Sequence, residues 1–220
     1  FVNKLVDAGR TKDAAKKLVG GLTSTELKAA VKLEAEGKID LKKINLNDLK
    51  SQIEKEAKYL SAMNFTIDVE GETESLEKFN SALAEARTGS GLTQESFEAL
   101  EKRYKSLDNY DGARLFEETA NGLSLNAQAV SEYEKALADT KLDETNSNLD
   151  ALKNKYNDLT NDIRNCSDAT KKAQLINEQE DVRKKITELA ELATMYEGLT
   201  SSYNEWQNAE NAGNNRDMYQ

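Results

Sequence analysis

The chain has 220 residues, 38% of them hydrophobic, 32% charged and 6% aromatic, with a mean hydropathy of -0.76; one or two domains with thin cores fit that supply, and a wide globular core does not. With no histidine and one cysteine, Ser-His-Asp and Cys-His catalysis, imidazole-dependent zinc sites and an intramolecular disulfide are excluded. The net charge of -10 disfavours non-specific binding to nucleic acid or anionic lipid, although residues 1–60 carry 13 basic and 9 acidic side chains (+4) and the remainder carries 17 and 31 (-14).

Proline is absent, which removes the residue that most often ends a helix. The chain therefore reads as all-α: short helices in the N-terminal half, then a long coiled coil forming an antiparallel helical hairpin. High charge with few aromatics also marks unfolded chains, but the periodicity described below is too regular for disorder.

Residues 1–64 read as short helices and helical hairpins, with Gly9, Gly20-Gly21 and Gly37 as stops. Within them, Lys16-Lys17 and Lys42-Lys43 read as solvated faces. In Leu22-Thr23-Ser24-Thr25-Glu26-Leu27, Thr23 stands three residues before Glu26, the spacing of a capping box, with Leu22 and Leu27 placed as a hydrophobic staple. Ile44-Asn45 ahead of Leu49 predicts another start.

Residues 65–90 read as an extended segment, from the alternation of Phe65-Thr66-Ile67-Asp68-Val69, followed by a short helix and the linker Gly89-Ser90-Gly91; Gly71 is a further stop. Residues 91–124 read as a helix-turn-helix, opened by Leu92-Thr93-Gln94-Glu95-Ser96-Phe97 and closed by Asn121-Gly122. Leu125-Asn126 ahead of Val130 starts the next element. From there no glycine occurs until Gly198, and residues 125–210 read as coiled-coil arms with a candidate turn at 165–168, where Ser167 or Asp168 could cap a new helix. Each arm of about 40 residues would reach roughly 60 Å; one continuous rod is the alternative. Residues 211–220 read as a flexible tail.

One pattern recurs three times at i, i+3, i+7 and i+10: Phe97, Leu100, Tyr104, Leu107; Leu149, Leu152, Tyr156, Leu159; and Tyr196, Leu199, Tyr203, Trp206. That is the a/d spacing of a heptad, which places four side chains on one helical stripe. The second copy continues to Ile163 and Cys166, and Val182, Leu189 and Leu192 precede the third in phase, interrupted by Lys185. Tyrosine in a seam predicts a loose contact with hydroxyls at its wet edge. These stripes either receive partner helices, including those of other copies, or close an internal bundle.

No P-loop, dinucleotide-binding glycine pattern or nucleophile elbow occurs. The sequence predicts no enzyme, and no catalytic, cofactor-binding or metal-binding residue. In Leu107-Asp108-Asn109-Tyr110-Asp111-Gly112 followed by Glu118, an EF-hand alignment puts Leu107 where the first Asp ligand must stand; a turn at Gly112 is the expectation. Cys166 falls in phase with a seam and reads as a small buried hydrophobe. Asn64-Phe65-Thr66 and Asn165-Cys166-Ser167 are glycosylation sequons by pattern only. No apolar run approaches the roughly 18–20 residues of a membrane span. A chain beginning at Phe1 reads as a fragment or processed product of a longer protein.

The stretch Leu100-Glu101-Lys102-Arg103-Tyr104-Lys105-Ser106-Leu107, continued by Asp111-Gly112-Ala113-Arg114-Leu115-Phe116-Glu117-Glu118-Thr119-Ala120-Asn121-Gly122-Leu123-Ser124-Leu125-Asn126, resembles a segment of tail tape measure proteins of phages and prophages of Gram-positive bacteria. The likeness covers residues 91–165 best. It implies a long helical structural protein that lies in the tail interior, is assembled in the host bacterial cytoplasm, helps set tube length, and leaves the tail when DNA is delivered. Its implied partners are other copies through the heptad seams, the tail tube, and further tail or chaperone proteins. The glycine punctuation of residues 1–124 and the lack of apolar membrane-like segments depart from that family's pattern. Composition alone equally supports a cellular coiled-coil scaffold or adaptor without enzymatic activity.

Overall fold

The computed structural model describes residues 1–65, 69–87, 92–119 and 122–217. It is predominantly helical: α1 (Val2–Asp7), α2 (Lys12–Gly20), α3 (Ser24–Ala35), α4 (Leu46–Asn64), α5 (Val69–Arg87), α6 (Gln94–Tyr104), a 3-10 turn (Gly112–Leu115), a ribbon of β1 (Phe116–Thr119) and β2 (Gly122–Leu125), then α7 (Ala127–Asn165) and α8 (Ala169–Asp217). The chain divides into two compact units, Phe1–Phe65 with Ser147–Leu189, and Thr66–Asn146 with Ala190–Gln220. Both α7 and α8 contribute to each unit.

Several helix starts lie where short polar side chains satisfy free N–H groups of a first turn. Thr23 accepts from the Glu26 amide while Glu26 Oε2 accepts from the Thr23 amide at 2.7 Å, completing the capping box. Those bonds to Thr23 hold the Glu26 carboxyl below its ordinary range. Asn45 accepts from Asp48 N at 2.8 Å, Thr93 from Ser96 N at 3.2 Å, and Asn126 from Ala129 N at 2.8 Å. Gly9 and Gly37, at φ +89° and +68°, close α1 and α3, with Arg10 N reaching back to Leu5 O and Lys38 N to Leu33 O, a left-handed closure that glycine adopts without strain.

In the first unit, Leu5, Ala15, Ala29, Ala30, Leu33, Ile39, Leu49, Ile53 and Ala57 form one apolar cluster drawn wholly from α1–α4 and their connections. In the second, Phe79, Leu100, Tyr104, Leu115, Val130, Tyr133 and Leu137 form another. The Tyr104 and Tyr133 rings lie 5.6 Å apart, and the Tyr133 hydroxyl accepts from Asp111 N and donates to Asp111 O.

The chain departs from the sequence expectations in several places. The helix of 65–90 is not short: it is the 19-residue α5, and Gly71 lies in its first turn, where the modest helix cost of one glycine is outweighed by packing of Phe79 and Ala82. Phe65 is extended, Val69 is already helical, and Thr66, Ile67 and Asp68 lie outside the described residues, as do Gly89, Ser90 and Gly91. Residues 91–124 are not a helix-turn-helix, because α6 is followed by the 3-10 turn and an antiparallel ribbon pairing Phe116 with Leu125 and Thr119 with Gly122. Gly122, read as part of a helix stop, is instead the first residue of β2; Ala120 and Asn121 lie outside the described residues. The tail 211–220 is helical through Asp217, and 218–220 lie outside the described residues.

Candidate functional site

The heptad stripes are used in part as predicted. Leu149, Leu152 and Leu159 are buried, as are Val182, Leu189, Leu192 and Tyr196, while Tyr156, Ile163 and Leu199 are half-buried. Leu100 and Tyr104 are fully buried on α6, but that helix ends at Tyr104, so Leu107 leaves the stripe. The side chains of Tyr203 and Trp206 lie outside the described residues. Cys166 is not a buried seam residue: α7 ends one position earlier, and the half-buried thiol lies 3.4 Å from Asp168 O in the connector.

The expectation of wet tyrosine hydroxyls fails at two seam positions. Tyr104 is sealed in and donates to Glu134 at 3.1 Å, and Tyr196 Oη is buried with no hydrogen-bond partner among the described residues. Burial, then the carboxylate of Glu134, pushes the Tyr104 phenol well above its ordinary value.

The feature that sequence reading missed is ionic. In the first unit, α3, α4, α7 and α8 each contribute one charge to a closed alternating ring: Lys32 to Glu56 at 2.7 Å, Glu56 to Lys155 at 3.5 Å, Lys155 to Glu178 at 3.2 Å, and Glu178 back to Lys32 at 3.4 Å. The Lys155 and Glu56 side chains are only 5% and 6% exposed. Beside the ring, Tyr59 Oη donates to Asp158 at 2.8 Å and Lys55 pairs with the same carboxylate at 2.7 Å. The two helix stretches of this unit also meet directly, as Gln179 donates to Thr160 Oγ1 at 2.7 Å and to Tyr156 O at 3.4 Å. Asp168, accepting from Lys171 N at 2.8 Å, caps the start of α8.

The cleft beside the ring has a volume of about 340 Å3. Its ammonium groups on Lys38, Lys55 and Lys155 face Glu56, Asp158 and Asp162, and each pairs with one of these carboxylates. The lining thus has no surplus charge with which to recruit an ion. Among the described residues no group of three His, Cys, Asp or Glu is placed to hold a metal ion, and Asp111 caps the 3-10 turn through Ala113 N at 3.0 Å. No described helix is long and apolar enough to cross a membrane.

In the second unit Arg103, its side chain 2% exposed, grips Glu134 with Nε at 2.8 Å and Nη2 at 2.5 Å, while Nη1 reaches Glu72 and Ser75, both at 3.2 Å. The second oxygen of Glu72 pairs with Lys141. A signal for these charges does exist in the sequence. Glu56 stands three residues after Ile53, Lys155 lies between Leu152 and Leu159, and Arg103 follows Leu100 by three, so each interrupts an apolar stripe.

The ring has a predictable pH dependence. Burial raises the Glu178 carboxyl, but Lys155 and Lys32 hold it below its ordinary value of 4.5, and Lys55 and Tyr59 do the same for Asp158 against burial. Lys32 rises above 10.5 despite burial because of Glu56 and Glu178. Depressed carboxyls contribute stability above their unfolded pKa that is lost as pH falls through the folded value, and the raised amine contributes below its unfolded pKa and is lost as pH rises. Glu178 and Lys32 therefore both contribute as charged groups across neutral pH. Thermal melts should show Glu178→Gln losing its deficit relative to the parent chain as pH falls from neutrality to below the carboxylate range. A deficit of constant size would mean Glu178 contributes nothing as an anion.

No protein-family model matches the chain, and no curated protein or solved structure is significantly similar to it.

Proposed function

We propose that this chain is an internal helical region of a tail tape measure protein, a structural component of a phage or prophage tail that helps set tail length without catalysing a reaction. The stretch 100–126 carries the reading, and the two long helices, of 39 and 49 residues, with apolar side chains buried at heptad spacing, support it. A helix lengthens by about 1.5 Å per residue, so residue count converts directly into reach. On this reading residues 125–210 are antiparallel coiled-coil arms turning at 165–168, the protein resides in the tail interior after assembly in the bacterial cytoplasm, and its partners are other copies and the tail tube.

The test is an in-frame deletion of residues 125–210 from the parent gene, with tail length read by electron microscopy. Tails should shorten by roughly 130 Å if the removed helices lie end to end along the tube and by about half that if they lie side by side. Assembled tails of unchanged length would refute the ruler role. The competing reading, a cellular coiled-coil scaffold, is favoured by the self-contained apolar cluster of residues 1–57, which a simple ruler does not require. Mass spectrometry of purified tails separates the two, since a scaffold would be absent from them.

A further inference from the structure

We infer that residues 1–65 are an exchangeable module, and that the face of α7–α8 on which they dock accepts the same module from a second copy of this chain. Three observations carry this. The apolar cluster built from Leu5 to Ala57 draws no residue from α7 or α8, so the module keeps that cluster when it lifts away, although Tyr59 and Ala62 of α4 are buried outside it. The module is followed by one continuous stretch of chain, 66–146, before the docking stretch of the first unit, Ser147–Leu189, begins within α7, so one covalent connection must be accommodated in an exchange. The dock is pinned by charge: Lys32 and Glu56 of the module close the ring with Lys155 and Glu178, Lys38 pairs with Asp162 at 3.9 Å, and Lys55 and Tyr59 hold Asp158.

Charge-pinned contacts fix one register and reject misaligned ones, because a shifted module would set like charges together. The complementary surface therefore already exists in every copy, and exchanging an identical element between copies requires no new contact. Within one chain the tether favours the internal dock. A second copy competes when chains are concentrated, and salt, by screening the partly exposed pairs, accelerates release. The inference does not depend on the tail reading.

A crosslinking experiment on the full chain tests it. In a Cys166→Ser background, one preparation carries Lys38→Cys and another Asp162→Cys. The two are mixed at high concentration, exposed briefly to high salt, returned to low salt and treated with a short bis-maleimide. Only an exchanged module brings the two cysteines together, so a covalent heterodimer is expected, increasing with concentration and with the salt step. A chain carrying both cysteines should crosslink internally when dilute. Lys16→Cys mixed with Asp162→Cys should give background alone, because Lys16 lies exposed on α2.

A heterodimer no more abundant than with Lys16→Cys, beside efficient internal crosslinking, would overturn the exchange. Failure of the double-cysteine chain to crosslink internally would overturn the dock and the inference with it.

Discussion

Replacing Leu152 and Leu159 together by Ala is expected to unfold the first unit at ordinary temperatures. Both side chains are fully buried, and each large-to-small change in a packed interior costs about 2–5 kcal/mol, the lost transfer energy plus the cavity left behind. The positions are seven residues apart on one helix, roughly 10 Å, so their costs should nearly add. The sum reaches the range of a whole domain's stability, about 5–15 kcal/mol. Lys153→Ala, at an exposed position, should stay within about 0.5 kcal/mol of the parent. Lys155→Ala should fall between them, since it strips one of two lysines from a buried Glu56 while Lys32 remains at 2.7 Å. Denaturant titrations of the four chains rank them, and a double leucine variant as stable as Lys153→Ala would mean that the heptad stripe bears no packing load.

The contrast between Leu152 and Lys155 shows what could be read in advance. A heptad interval specifies which face of a helix is apolar, and Leu149, Leu152, Leu159, Val182 and Leu189 are buried accordingly. It does not specify what covers that face, and the module of residues 1–65 that docks beside it has no counterpart in any local pattern. Helix starts were legible because a cap is a local event: Thr23, Asn45, Thr93 and Asn126 each bond to an amide three residues ahead. The ribbon at 116–125 was not, because four residues of alternation are too few to compete with a helical context on both sides. Lys155, Glu56 and Arg103 were hidden for a different reason. A charged side chain inside an apolar stripe costs too much to bury alone, and its partner lies on another element: Glu178 is 23 positions from Lys155, and both Glu72 and Glu134 are 31 from Arg103.

Arg103→Ala is expected to destabilise the second unit by about 3–5 kcal/mol, the usual cost of removing one member of a buried ion pair. The guanidinium supplies four contacts: two to Glu134, one to Glu72 and one to Ser75, and lies over the Phe79 ring at 5.7 Å from its centroid. Among the described residues, its removal leaves the Glu134 carboxylate, 15% exposed, with only the Tyr104 hydroxyl, while Glu72 keeps Lys141. The loss is thus mostly that of leaving a largely buried anion beside Tyr104 without its cation, and not that of deleting a favourable pair. This makes a second expectation. Arg103→Met with Glu72→Gln and Glu134→Gln, which removes the guanidinium together with both carboxylates it pairs with, retains the apolar stem and leaves the partly exposed Lys141 to solvent, should recover most of the stability that Arg103→Ala loses. Thermal and denaturant unfolding of the parent, single and triple variants would show whether this is so. A triple variant as unstable as Arg103→Ala would assign the cost to lost geometry, with the bidentate grip itself holding α5, α6 and α7 in register.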